Sequence, residues 1–208
     1  MAERQIEYIH GRPGIEITQE NLRKFVLSLV EGFPGDKEVV DAEIERLGGT
    51  FIEVLEDPNT VAAFEGERCL GMGSFFKAGE VGDGKDVLMY TKFVVLPEAR
   101  NEGVILSCGI SLIMDIAEQH PGALICGVTH GVFARKYCAQ MGYEFVPVNS
   151  FFEMRDDVGF FDDEWELYVG DTAKGSFSYD SELFQEAKPV IAAAIARIFG
   201  KEVVVKES

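Results

Sequence analysis

The chain has 208 residues, 47% of them hydrophobic, with 16 Phe, which supplies a sizeable core and excludes a generally disordered polymer. Its net charge of −17 repels nucleic acid and anionic lipid. That charge is either an ordinary solvated surface or an acidic mouth for a cationic partner.

The N-terminal stretch MAERQIEYIH lacks the apolar core of a signal peptide. No apolar run approaches the roughly 20 residues a membrane span needs, so a cytoplasmic location without membrane contact is expected. Residues 1–17 hold the short alternations IEYI and IEI around Gly11, Pro13 and Gly14, a pattern that suits an edge strand. Thr18 stands as the N-cap of a helix running through Leu22, Phe25, Val26, Leu29 and Val30. A second helix spans Lys37 to Leu47 and stops at Gly48-Gly49.

Thr50 to Leu55 is strand-like. Thr60–Phe64 and Cys69–Phe76 read as a hairpin around Glu65–Arg68, and Gly79–Asp86 as a polar, glycine-rich loop. A buried strand, Leu88–Leu96, then leads through Pro97-Glu-Ala-Arg-Asn-Glu-Gly103 into a long apolar helix from Val104. Ile105, Gly109, Leu112, Ile113, Ile116 and Ala117 form one stripe of that helix. Ile110 and Met114 widen the stripe, which predicts burial on more than one side.

Ala123–Val128 is a short interior strand, expected parallel to Leu88–Leu96 through a right-handed crossover. Val132–Met141 is a short helix closed by Gly142. Tyr143–Val148 and Trp165–Val169 are strands, with an acidic stretch (Asp156, Asp157, Asp162, Asp163, Glu164) between them. Phe151, Phe152, Phe160 and Phe161 read as core residues, with an acceptor pocket as the other use. The helix Ser181–Phe199 and the apolar run Val203–Val205 complete the chain. This places a main domain over residues 1–170. The C-terminal extension, 171–208, would pack on the core or at a subunit interface, which leaves a homodimer open.

Cys69, Cys108, Cys126 and Cys138 are far apart, with no C-x-x-C and no His at zinc spacing. Three of them sit in apolar runs, as buried reduced thiols do. No metal is expected.

The chemistry concentrates at 88–119. A strand feeding a glycine turn and a helix start leaves backbone N–H groups without intrahelical partners, at the positive end of the helix dipole. Such a place attracts an anion. Arg100 and Gly103 supply a cation and a bare backbone there.

The order of elements resembles the GNAT N-acetyltransferase fold, and two stretches carry the likeness. VVLPEARNEGVI resembles the acetyl-CoA turn V-x-P-x-x-R-x-x-G-x-G/A of that family, with Val95, Pro97, Arg100 and Gly103 in place and Ile105 at the final small position. FARKYCAQMGYEFV resembles its A-x-x-x-Y-x-x-x-G-F segment through Ala134, Gly142 and Tyr143. The likeness covers roughly residues 18–170. It implies a mixed α+β (three-layer α/β) fold, with a mostly antiparallel sheet flanked by helices. A central parallel strand pair would be splayed at the cofactor cleft.

By that resemblance acetyl-CoA is the cofactor. Phe93, Val94 and Val95 would hold the pantetheine arm, while Arg100, Asn101, Glu102, Gly103, Val104 and Ile105 would cradle the diphosphate. The proton-donor position falls on Cys138, four before Gly142, with Tyr137 one residue away. His130, just past a strand end, is a candidate base, and Glu53 and Tyr90 are weaker ones. The implied reaction moves an acetyl group to a primary amine of a small molecule or cationic peptide. The alternative is a catalytically degenerate GNAT-shaped acidic interaction protein, which Glu102, Ile105 and Cys138 keep open.

Overall fold

The computed structural model describes residues 5–11, 18, 20, 21, 24, 53–82, 84–100, 103–130, 143–172 and 177–206. The second expected helix, Lys37–Leu47, and the expected helix Val132–Met141 lie outside them. The chain divides into two compact units, 1–75 with 92–114, and 76–91 with 115–208. The strands are β1 (Glu7–His10), β2 (Thr60–Glu65), β3 (Arg68–Val81), β4 (Lys85–Val95), β5 (Leu124–His130), β6 (Phe145–Pro147), β7 (Phe152–Met154), β8 (Trp165–Asp171) and β9 (Val203–Val205). Helix α1 spans Val104–Gln119 and α2 spans Glu182–Phe199. Seven strands form a mixed sheet in the order β1-β2-β3-β4-β5-β8-β6, and β7 pairs with β9 separately.

In the first unit β1 is the expected edge strand, antiparallel to β2 with Glu7 opposite Phe64. The β2–β3 hairpin forms where alternation predicted it, and Gly66 turns it with φ 60°. The register of β2 on β3 shifts between Ala63 and Phe64. Next to that irregularity the buried Asn21 side chain meets both backbone groups of Cys69: its Oδ1 accepts from the Cys69 N–H (3.0 Å) and its Nδ2 donates to the Cys69 carbonyl (3.1 Å). Thr18 Oγ1 accepts from the Asn21 N–H at 3.2 Å, so the N-cap read from sequence is present.

Three local readings are corrected. Glu53–Glu56 is helical, not a strand, because the chain must turn at Asp57-Pro58-Asn59 before β2 while burying Leu55. The Asp57 N–H closes that turn on the Val54 carbonyl (3.1 Å). The polar stretch Gly79–Asp86 is mostly strand, since β3 reaches Val81 and β4 starts at Lys85. Its charges are paired across the strands, Lys77 with Asp86 (2.6 Å) and Lys85 with the buried Asp171 (2.5 Å). Helix α1 is not buried all round. Val104, Ile105, Cys108, Leu112 and Ile116 are buried, whereas Leu106, Ile110 and Met114 are 41%, 46% and 66% exposed.

The second unit contains the parallel pair. Val87, Leu88 and Met89 of β4 stand opposite Leu124, Ile125 and Cys126 of β5. β5 is antiparallel to β8 along its whole length, from Leu124–Asp171 to His130–Trp165. One face of these strands, including Met89, Cys126, Leu167 and Val169, forms a single apolar cluster with Phe184, Ala187, Ile191 and Ile195 of α2. Burying each large side chain there contributes about 2 kcal/mol. Phe152 and Phe161 are buried in the same cluster, so the core reading of these phenylalanines holds.

Candidate functional site

β4 enters the candidate site as a buried strand, with Val94 and Val95 each 5% exposed and Leu96 fully buried. The strand stops there because Pro97 has no N–H to donate to a ladder. Pro97–Ala99 makes a 3-10 turn instead, and the Arg100 N–H closes it on the Pro97 carbonyl at 3.4 Å. The turn is fixed to β3 twice. The Leu96 N–H donates to the Leu70 carbonyl (2.8 Å), and Arg68 is ion-paired with Glu98.

α1 then starts from Gly103, whose φ of +72° is left-handed and whose carbonyl accepts the first helical bond, from the Ser107 N–H at 3.0 Å. The amides of Val104, Ile105 and Leu106 precede that bond, so the helix supplies them no partner. No acidic residue lies in the first turn. A Cβ placed on Gly103 would meet no atom of the described residues within 4 Å. The side chains of Val104 and Ile105 are buried, at 0% and 6% exposure.

What lets α1 approach β3 so closely is a Gly-x-Gly in that strand. Gly71 and Gly73 are two apart and therefore share a face. A Cβ on Gly71 would stand 2.8 Å from Val104 Cγ1, and one on Gly73 would stand 2.5 Å from the Phe93 ring and 2.9 Å from Leu112 Cδ1. The helix start and the end of β4 are thus seated on two bare strand positions. The sequence shows these glycines inside a strand pattern, which signals close backbone approach, but not what approaches.

The predicted site residues fall into three groups. Phe93 (half-buried), Val94, Val95, Arg100 (exposed), Gly103, Val104 and Ile105 gather in the first unit along β4, the turn and α1. His130 is the last residue of β5, opposite Trp165, in the second unit. Asn101, Glu102, Tyr137 and Cys138 lie outside the described residues. Of the weaker candidates, Glu53 is exposed on its helical turn and Tyr90 is half-buried in β4.

A second feature, not read from the sequence, lies in the second unit. Gly127, Tyr168 and Phe145 stand opposite one another across β5, β8 and β6, with Tyr90 of β4 near them. Tyr168 lies flat over Gly127, where a Cβ would come 2.2 Å from its hydroxyl oxygen. Tyr143 covers Gly170 in the same way (2.0 Å) and stacks on Tyr168, with centroids 5.7 Å apart and planes at 12°. The Tyr90 and Tyr168 centroids are 6.4 Å apart. Leu167 and Val169 belong to the α2-facing cluster, so strand alternation puts Tyr168 and Gly170 on the opposite face.

Charge around the first-unit site is mixed. Lys24 holds the Glu20 carboxyl below the usual carboxylate range, and Arg68 adds to that effect. Burial raises the Cys108 thiol to about 12 and pushes Cys69 and Cys126 higher, so none of these three is a thiolate nucleophile at neutral pH. Among the described residues no cluster of His, Cys, Asp and Glu is arranged to hold a metal ion. No helix among them is long and apolar enough to cross a membrane.

No protein-family model matches the sequence, and no curated protein matches it. Solved structures share its fold. A protein of Desulfovibrio desulfuricans assigned to the GNAT acetyltransferase family aligns with 81% of this chain and 99% of its own, at TM-score 0.54 and 15% identity. A GNAT-family acetyltransferase of Staphylococcus aureus Mu50 aligns over 81% and 99%, at TM-score 0.51 and 14% identity. A protein of Pyrococcus horikoshii OT3 aligns over 79% and 97%, at TM-score 0.53 and 13% identity.

Proposed function

From a chain that has the GNAT fold, we propose an acetyl-CoA-dependent N-acetyltransferase whose acceptor is a primary amine on a small molecule or cationic peptide. The observation that carries this reading is the start of α1. Amides left over by the helix lie beside a left-handed glycine whose Cβ position no described residue approaches within 4 Å, with no acidic residue in the first turn. Backbone donors at a helix end suit a diphosphate, because they bind it without a large counter-charge.

Arg100, Asn101, Glu102, Gly103, Val104 and Ile105 would hold the diphosphate, and the β4 backbone from Phe93 to Val95 the pantetheine arm. Bound there, the coenzyme would supply an activated acetyl thioester. Cys138 or Tyr137 is the proposed proton donor and His130 the proposed base. The net charge of −17 favours a cationic acceptor over an anionic one.

Titration of the full chain with acetyl-CoA tests the reading, since a ligand that binds only the native state raises the melting temperature. A saturable rise is expected, with thiol release when an accepted amine is added. No rise at millimolar acetyl-CoA overturns it. Binding without thiol release across a broad amine panel assigns the chain to the degenerate, interaction-protein alternative. Gly103→Ala is expected to weaken acetyl-CoA binding and to cost about 1 kcal/mol of stability, because a Cβ strains a left-handed residue.

A further inference from the structure

Helix α1 is apolar on two opposite sides. Val104, Cys108 and Leu112 are fully buried, and Leu112 closes on the bare Gly73 position of β3. On the other side Leu106, Ile110 and Met114 are exposed, at 41%, 46% and 66%. At about 100° of rotation per residue, half-buried Ile113 and exposed Ala117 fall on that outer side too. Six large hydrophobic side chains are exposed among the described residues. The other three stand apart from one another in the chain, Tyr8 on β1, Val158 in a turn and Val205 on β9. Single exposed apolar side chains are ordinary, whereas a contiguous apolar patch marks an interaction surface. A helix apolar on all sides is a covered helix.

The pattern of the outer side specifies what covers it. Leu106, Ile110, Ile113 and Ala117 are spaced by four, three and four residues, the seam of a helix that packs along another helix. No charged residue stands between Val104 and Met114, in a chain whose net charge is −17. Two copies of such a chain repel except through a neutral face. The first charges of the helix, Asp115 and Glu118, come near its end, where they oppose the helix dipole with no basic residue in the last turn. An antiparallel copy of the same helix brings its positive start towards them.

We propose that this side of α1 is a homodimer contact, in which the helices of two copies pack antiparallel about a two-fold axis. Ile110 then meets the partner's Ile113 and Leu106 the partner's Ala117, each pair occurring twice as a two-fold requires. Met114 flanks the seam. One helix from each chain covers less than the roughly 800 Å² per partner of a standard interface, so the dimer is weak and depends on concentration. The inference does not rest on the acetyl-transfer reading, and its test uses no coenzyme.

Sedimentation equilibrium of the full chain from micromolar to millimolar concentration provides that test. A reversible monomer–dimer equilibrium is expected. Ile110→Lys or Ile113→Glu alone should weaken association about tenfold or more, because each contact would bury an unpaired charge. Mixing the two variant chains should restore association as a heterodimer, since the antiparallel register sets position 110 of one chain against 113 of the other. Met114→Glu, at a position 66% exposed, should weaken the dimer without lowering the melting temperature of the dilute monomer. A monomer at every concentration overturns the proposal, including one that binds uncharged lipid vesicles, which would give this side of α1 to a membrane surface. So does a dimer indifferent to both Ile110→Lys and Met114→Glu, or a pair of variant chains that fails to recombine.

Discussion

Asn21 shows how one buried side chain can complete a sheet. Its amide serves both the N–H and the carbonyl of Cys69, beside the shifted register of β2 on β3. A buried backbone group without a partner costs about 1–3 kcal/mol. Asn21→Ala is therefore expected to lose at least about 2 kcal/mol in a denaturant titration, and an unchanged midpoint would refute the pairing. Gly73 acts by having no side chain. In Gly73→Ala the new Cβ meets the Phe93 ring and Leu112, and overpacking of this kind costs about 1–3 kcal/mol. Because Phe93 and α1 must both shift, weaker acetyl-CoA binding should accompany the lost stability. Loss of stability with intact binding would separate the glycine from the site.

At the scale of elements, α2 carries its own start and stop. Ser181 Oγ accepts from the Phe184 N–H at 3.2 Å, and Gly200 ends the helix in the left-handed region at φ 65°. Ser181→Ala should cost about 1 kcal/mol, read as a lower thermal midpoint with an unchanged fold by circular dichroism. Tyr179 joins the segment before α2 to the edge of the sheet. Its hydroxyl donates to the Glu144 carbonyl (2.9 Å) and accepts from the Val169 N–H (3.1 Å). Burial raises the Tyr179 hydroxyl pKa far above the usual tyrosine value, so it stays protonated and able to donate. Tyr179→Phe leaves the buried Val169 N–H unserved and is expected to cost about 1–3 kcal/mol. Free exchange of the Val169 amide should accompany it in hydrogen-exchange measurements.

At the scale of the whole molecule the acidic balance governs pH response. Asp86 is held below the ordinary carboxylate range, chiefly by its bond to Lys77 and to a lesser degree by the one to His120. A carboxyl whose folded pKa is depressed adds stability that is present above its unfolded pKa and lost as pH falls. Stability should therefore drop between about pH 5 and 3, and Asp86→Asn should flatten that slope while lowering stability at pH 7. An identical slope in wild type and Asp86→Asn would remove Asp86 from the account.

Much of this was legible in the residues themselves. The Thr18 cap, the Gly66 hairpin, the β4–turn–α1 unit and the buried cysteines follow from local geometry, because capping, alternation and glycine conformation act over a few residues. The residues 79–86 misled because charge reads as loop until its partners are seen, here Lys77 for Glu80 and Asp86 and Asp171 for Lys85. The width of the apolar stripe on α1 misled for a related reason: periodicity reports which side chains are apolar, not which face the sheet covers.

The β2–β3 hairpin, the parallel strand–helix–strand unit and the glycine turn after β4 could be read from the residues alone, since each depends on neighbours in the chain. Only the tertiary structure decided what Gly71, Gly73, Gly127 and Gly170 are for, which backbone groups Asn21 and Tyr179 satisfy, and which side of α1 is left exposed. Those depend on residues tens of positions apart meeting within a few ångströms, and contact at that range is set by packing.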